Sequence, residues 1–512
     1  MKASPDLFEL IKSLTKSEKR YFKLSVSVQQ GEKNYTKLFD AIDKQEVYDE
    51  EELKTIFRKE TFARNLAYEK HYLYNLIIKS ITPLHVSSSA SGQIKEMLKT
   101  ISLLFDKALY SQCKKMVIRT KKLAYSYEKF TLLLEIINWE RKLANIYRGD
   151  FAEKLKNHAS EVETLLLRIS QTYDYLKLFD KILSLQFSMG HFRNKIEFDE
   201  IQKVMRSPLL KTQDKAVSVT EKYLYNSIHA AYANQSSDLT NSYIYNNACA
   251  ELLEAHPLIV KDDPDKYISI LNSLHISCIN LHKYTEAGGI VKKMKSIEKD
   301  FDLILSSAMK IRVFLLSASR QLTVYIETGE FIKGVADIGE IEDFIQLHAN
   351  KSYNIRKKII YLYFTIICLG ASKYKKALQY IALLKNEHTL EMSEGDLSTV
   401  FILNLIIHYE LDNYDTLPYL VKSAYRHFYK HKTLYGFEAA ILDFMKKLIR
   451  TNSTKQLLSE FENLRADLQR LKKKNVLEVD WVKGFDIISW LESKIEKRPF
   501  GEIVKEKVHN RL

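Results

Sequence analysis

An aromatic or large apolar side chain returns along this chain just after a short polar break, and a small or apolar residue follows it three or four positions later. The instances are Tyr110 in ALYSQCKKM, Phe151 in RGDFAEKL, Phe192 in MGHFRNKI, Leu239 in SSDLTNSYI, Tyr284 in HKYTEAGG, Phe331 in TGEFIKGV, Tyr374 in SKYKKALQY and Tyr414 in DNYDTLPYL. Successive separations are 41, 41, 47, 45, 47, 43 and 40 residues. A near-constant period of this size marks a repeated supersecondary unit. The chain has only 14 Gly and 7 Pro in 512 residues, so turns are scarce and the elements between them are long. Long elements without β patterning are helices. The period then predicts a helix of roughly 16 to 20 residues, a turn of about two to five, and a second helix packed against the first. A small residue near the turn, such as Ala287, Gly334 or Ala377, lets the two backbones approach while the aromatic fills the gap beside it.

The stretches GASKYKKALQYIALL (370–384) and INLHKYTEAGGIVKKM (279–294) resemble the helix-turn-helix junction of the tetratricopeptide family, a Gly-x-Tyr-x-x-Ala type of pattern. The resemblance extends over about residues 95–470, with a longer period than that family's and without its Trp or its regular Pro. It implies an all-α fold, a right-handed α-solenoid of antiparallel helix pairs, that binds a protein or peptide partner in its groove. In such arrays each pair leans mainly on its immediate neighbours, and the ends are atypical because they must be capped.

The two ends read accordingly. Residues 1–86 form a helical cap or head. Ser4-Pro5-Asp6 opens a first helix, Thr15 to Glu18 is a capping box, residues 34–44 form a third helix, Asp49 to Glu52 place negative charge at the start of a fourth, and a fifth covers about 65–81. LTKSEKRYFKL resembles the first helix of some helix-turn-helix DNA-binding domains, with EELKTIF, followed by RKETFAR and a basic helix, as the reader pair. This head carries 15 basic and 13 acidic residues, little charge for DNA binding. SSSASG (87–92) reads as a loop, residues 95–474 as the repeats, and 475–512 as capping helices whose Trp481 and Trp490 seal the last repeat.

The net charge of +14 is concentrated in two zones. Residues 95–129 carry 9 basic against 3 acidic groups, and residues 421–474 carry 13 against 5. Within them, Lys114, Lys115, Arg119, Lys121 and Lys122, and Lys422, Arg426, Lys430 and Lys432 with Tyr429, are candidate polyanion-binding residues. Cations neutralise phosphates and aromatic faces stack on bases. The competing reading is structural: on a helix the aromatics go to the core and the lysines to a solvated face. A nucleic-acid-associated regulator using the head or these patches is therefore the alternative to a scaffold. His427 and His431 share a helical face, but no third metal ligand is apparent.

Neither GxGxxG, GxxxxGK[ST] nor GxSxG occurs, and Cys113, Cys249, Cys278 and Cys368 form no CxxC pair. The expectation is a protein that is not an enzyme, with no cofactor, metal or small-molecule substrate. The acidic clusters at 49–52 and 262–265 coincide with expected helix starts. The longest apolar run, IIYLYFTIICLG (359–370), is short for a membrane span, and the N-terminus lacks the apolar segment of a secretory signal. A basic, cytoplasmic protein with buried thiols is expected.

Overall fold

The computed structural model describes residues 5–27, 34–86, 89–147, 151–189, 195–303, 305–348, 354–386, 394–431, 434–450, 453–474 and 484–510. Among them every regular element is a helix and none is a strand. No helix among the described residues is long and apolar enough to cross a membrane. The chain divides into two compact units, Met1–Gln171 and Thr172–Leu512.

The first unit begins with α1 (Asp6–Ser13), α2 (Lys16–Ser27), α3 (Asn34–Lys44), α4 (Glu50–Ile56) and α5 (Leu66–Val86). Local chemistry sets these starts. The Thr15 N–H donates to Glu18 Oε2 at 2.7 Å while the Glu18 N–H donates to Thr15 Oγ1 at 3.2 Å, a closed capping box. Asp49 accepts from the N–H groups of Glu51 and Glu52 at the head of α4. Helices α1, α2 and α3 pack on α5 around Ile11, Phe22, Phe39, Leu73 and Ile77, an apolar cluster of their own. RKETFAR is a turn and a short 3₁₀ segment between α4 and α5, and Lys70 of α5 is tied to Glu50 and Tyr48 at 2.8 and 2.9 Å. Ser4, Ser87 and Ser88 lie outside the described residues. The rest of the expected loop is helical, since Ser89 caps α6 (Ala90–Asp106) through the Gly92 N–H. Then come α7 (Tyr110–Ser126), α8 (Phe130–Tyr147) and α9 (Phe151–Met189), joined by a second cluster that includes Ile94, Val117, Leu133 and Leu165.

Helix α9 runs for 39 residues, which replaces the helix pair expected after Phe151. Its sequence contains neither Gly nor Pro, so nothing interrupts the helical ladder. Phe192 lies outside the described residues. The division between the units falls within α9.

The second unit continues with α10 (Lys195–Met205), α11 (Val219–Gln235), α12 (Leu239–Glu254), α13 (Pro257–Asp262), α14 (Pro264–Asn280), α15 (Tyr284–Asp300), α16 (Ser307–Glu327), α17 (Phe331–Leu347) and α18 (Asn354–Gly370). After these come α19 (Tyr374–Asn386), α20 (Glu394–Glu410), α21 (Leu417–Lys430), α22 (Gly436–Arg450), α23 (Thr454–Lys474), α24 (Ile487–Glu496) and α25 (Phe500–His509). From α14 to α23 each helix packs on its chain neighbour, and α14, α16, α18, α20 and α22 also touch in succession. The four cysteines are free and buried. Burial pushes the Cys249 and Cys278 thiols up to about 12, so they behave as small apolar groups.

One junction geometry recurs in both units. Ala108, Glu128, Ser237, His282, Gly329, Ser372 and Asp412 all have φ between +51° and +72°. At each, the next residue's N–H reaches the carbonyl five positions back, as in Lys283 to Cys278 at 2.8 Å, Lys373 to Cys368 at 2.7 Å and Leu109 to Leu104 at 2.9 Å. The left-handed residue bonds three positions back, which completes a Schellman motif and satisfies the orphan carbonyls of the helix end. Six of the seven lead directly into the next helix, at Tyr110, Phe130, Leu239, Tyr284, Phe331 and Tyr374. The seventh differs: Tyr414 stays in the turn, 43% exposed, and α21 starts at Leu417. Only one of these left-handed residues is glycine, and a Cβ there costs about 1–2 kcal/mol. Ala108→Gly is therefore expected to stabilise its junction by about 0.5–1 kcal/mol, after about 0.4–1 kcal/mol is deducted for the freer unfolded chain. Thermal unfolding reads this as a raised midpoint; a lowered one would show that the junction holds no strain.

The last helices reach further back than the final pair. The Trp490 indole N–H donates to Glu410 Oε1 at 2.7 Å, and the Lys494 ammonium donates to Glu410 Oε2 at 2.6 Å. Trp490 is buried against Tyr409 and Phe461. Phe500 stacks on Phe331 with centroids 5.3 Å apart, and Lys505 lies 3.8 Å from Glu330. The C-terminal segment thus binds the α16–α17 junction as well as the end of α20. Trp481 lies outside the described residues.

Candidate functional site

Helix α21 owes its orientation to Leu417, Val421, Ala424 and Phe428, which repeat at spacings of four, three and four and are all buried. Those four residues fill the face toward α20 and α22 and leave no room there for the tyrosines. Tyr419 is 76% exposed, Tyr429 72% and Tyr425 43%, on the same side as exposed Lys422, Arg426 and Lys430. The expectation that the aromatics of residues 421–437 enter the core holds for Phe428 and Phe437 and is overturned for Tyr425 and Tyr429, while Tyr435 is half-buried. Tyr425 and Tyr429 lie nearly parallel, 10° apart at a centroid distance of 6.3 Å, and the Lys446 ammonium of α22 sits 5.3 Å from the Tyr425 ring centre. Lys432 lies outside the described residues. Tyr419 falls before the basic window read from sequence; its position three residues ahead of Lys422 is the signal that would have found it.

The α7 patch, in the first unit, is different in kind. Lys114, Lys115, Arg119 and Lys122 are exposed, with Ile118 among them. Lys121 is half-buried and bridges Glu140 at 2.6 Å and Glu161 at 2.8 Å. Burial pulls its pKa down, but the two carboxylates outweigh that and hold it above the ordinary lysine value. It is committed to the fold and offers no charge to a ligand. Tyr125 donates its hydroxyl to Glu161, and burial together with that carboxylate pushes the phenol up. His158 adds a contact to Glu140 at 3.6 Å. Lys114 lies 5.7 Å from the centre of the Tyr147 ring. The patch therefore carries cations beside an acidic cluster, with Tyr125 engaged by Glu161.

His427 and His431 stack at 4.5 Å, and His427 also packs 4.5 Å from Phe401. Among the described residues no group of three or more His, Cys, Asp or Glu is arranged to hold a metal ion. The sequence places these site residues on two helices, and the structure groups them by unit, α7 in the first and α21 in the second. No protein-family model matches the chain, and neither a curated protein nor a solved structure is significantly similar to it.

Proposed function

We propose that this chain is a non-enzymatic scaffold or adaptor of the tetratricopeptide-like class, in which antiparallel helix pairs stack into a right-handed α-solenoid and hold a protein or peptide partner in the cytoplasm. The observation that carries this reading is the recurring Schellman junction, with the next helix starting two residues after the left-handed one. Identical junctions impose similar pair geometry. Successive similar pairs make an extended face, which is how repeat proteins recognise partners. The small residues at the junctions support it: Ala287 and Ala377 are fully buried, and a Cβ on Gly334 would lie 2.8 Å from Ile367 Cδ1. Affinity capture of the full chain from nuclease-treated cells, read by mass spectrometry, is expected to return one protein at stoichiometric yield. Capture of nothing above background in replicate preparations would count against the scaffold reading.

A further inference from the structure

On α21, Tyr419, Lys422, Arg426 and Tyr429 follow one another at spacings of three, four and three, which places them on one stripe of the helix opposite its buried face. Tyr425 and Lys430 flank the stripe. From Leu417 to His431 the sequence contains no Asp or Glu, and Lys422, Arg426 and Lys430 make no ion pair among the described residues. Of the carboxylates on α20 and α22, Glu410 is held by Trp490 and Lys494, Glu438 is buried, and Asp443 pairs with Lys446 at 3.0 Å. Arg450, at the end of α22, is exposed as well.

We propose that this stripe binds single-stranded nucleic acid. Lys422, Arg426 and Lys430 advance by one rise of four residues each, about 6 Å, a step close to that between neighbouring phosphates of an extended strand. The tyrosine rings between them offer stacking faces to successive bases, a contact that depends on the base being unpaired. This pairing of features selects the occupant. A duplex conceals its base faces, so the exposed rings would gain nothing from it. An acidic peptide would answer the cations but not the rings. An anionic membrane surface calls for aliphatic or Trp anchors, and the exposed residues of α21 include no Leu, Ile, Val, Phe or Trp. The inference stands apart from the scaffold reading, since a strand on α21 requires only that one helix and its exposed side chains.

Fluorescence anisotropy with labelled oligo-uridine and oligo-deoxythymidine tests it on the full chain, with a duplex of equal length and poly-glutamate as competitors. Both single strands are expected to bind and to outcompete the duplex and poly-glutamate, and a preference between the two strands assigns the stripe to RNA or DNA. The logarithm of affinity is expected to fall with log salt at a slope of about −2 for three phosphate contacts. Tyr419→Ala with Tyr429→Ala is expected to weaken binding at least tenfold with the slope kept. Lys422→Ala, Arg426→Ala and Lys430→Ala together should flatten it. All five side chains are exposed, and an unchanged circular dichroism melt confirms that the variants fold. Absence of single-strand binding at low salt, equal competition by duplex or poly-glutamate, or indifference to the tyrosine pair would each overturn the proposal.

Discussion

Gly370→Ala is expected to destabilise the second unit by about 3 kcal/mol, the upper end of the overpacking range. Gly370 ends α18, and a Cβ built there would lie 2.5 Å from the Phe331 ring. That ring is 2% exposed. It has no route of retreat, because Phe500 stacks on it at 5.3 Å and a Cβ on Gly501 would already meet it at 3.2 Å. Accommodating one methyl group therefore means moving α25 or the α16–α17 junction. Phe331→Leu in the same chain should recover part of the loss by trimming the ring. The contrast lies in α15, where a Cβ on Gly288 or Gly289 meets nothing within 4 Å. Alanine at either is expected to stabilise that helix by about 0.8–1.0 kcal/mol. Chemical denaturation followed by tryptophan fluorescence reports the first change, since Trp490 lies in the same apolar cluster. An unchanged midpoint for Gly370→Ala would mean that the C-terminal helices do not clamp the ring.

That comparison shows how far the sequence could be read. Tyr284 and Ala287 are buried at their junction as their spacing predicts, but the two glycines after them are not the reason the backbones approach. The helix starts at Tyr110, Tyr284, Phe331 and Tyr374 were legible because an aromatic there leaves a periodic mark. The turn itself leaves almost none when His282, Ser372 or Glu128 takes the left-handed position that glycine usually marks. The length of α9 was hidden for the opposite reason. A polar break between Tyr147 and Phe151 and another near Phe192 look alike, and only the intervening lack of Gly and Pro hinted at one continuous rod. The exposed tyrosines of α21 were within reach of a phase argument: once Leu417, Val421, Ala424 and Phe428 are taken as the core face, Tyr419 and Tyr429 have nowhere else to go. The ties of Lys121 to Glu140 and Glu161, and of Glu410 to Trp490, join positions that no local pattern connects.

Between pH 7 and pH 5 the second unit is expected to lose about 2 kcal/mol of stability through a single side chain, His275 of α14. The residue is fully buried. Burial pulls its pKa down to about 3, and the nearby Arg320 guanidinium, which donates to Asn272 Oδ1 at 2.7 Å, pushes in the same direction. In the unfolded chain the imidazole titrates at its ordinary value near 6.5. Below that pH the unfolded chain takes up a proton that the folded chain refuses. The histidine's contribution is thus whole above pH 6.5 and drains away as pH falls toward 3, at about 1.4 kcal/mol per pH unit. The window from pH 6.5 to 5 lies above the ordinary range of exposed carboxylates, which separates this effect from general acid denaturation. His275→Leu removes the titrating group while keeping an apolar side chain among Leu271, Leu274 and Cys278, its neighbours on α14. Urea unfolding of the two proteins at pH 7 and pH 5 should give a drop in the wild type that is about 2 kcal/mol larger than in the variant. Parallel drops would mean that the folded protein admits the proton, and that water reaches the α14–α16 contact where His275 and Arg320 lie.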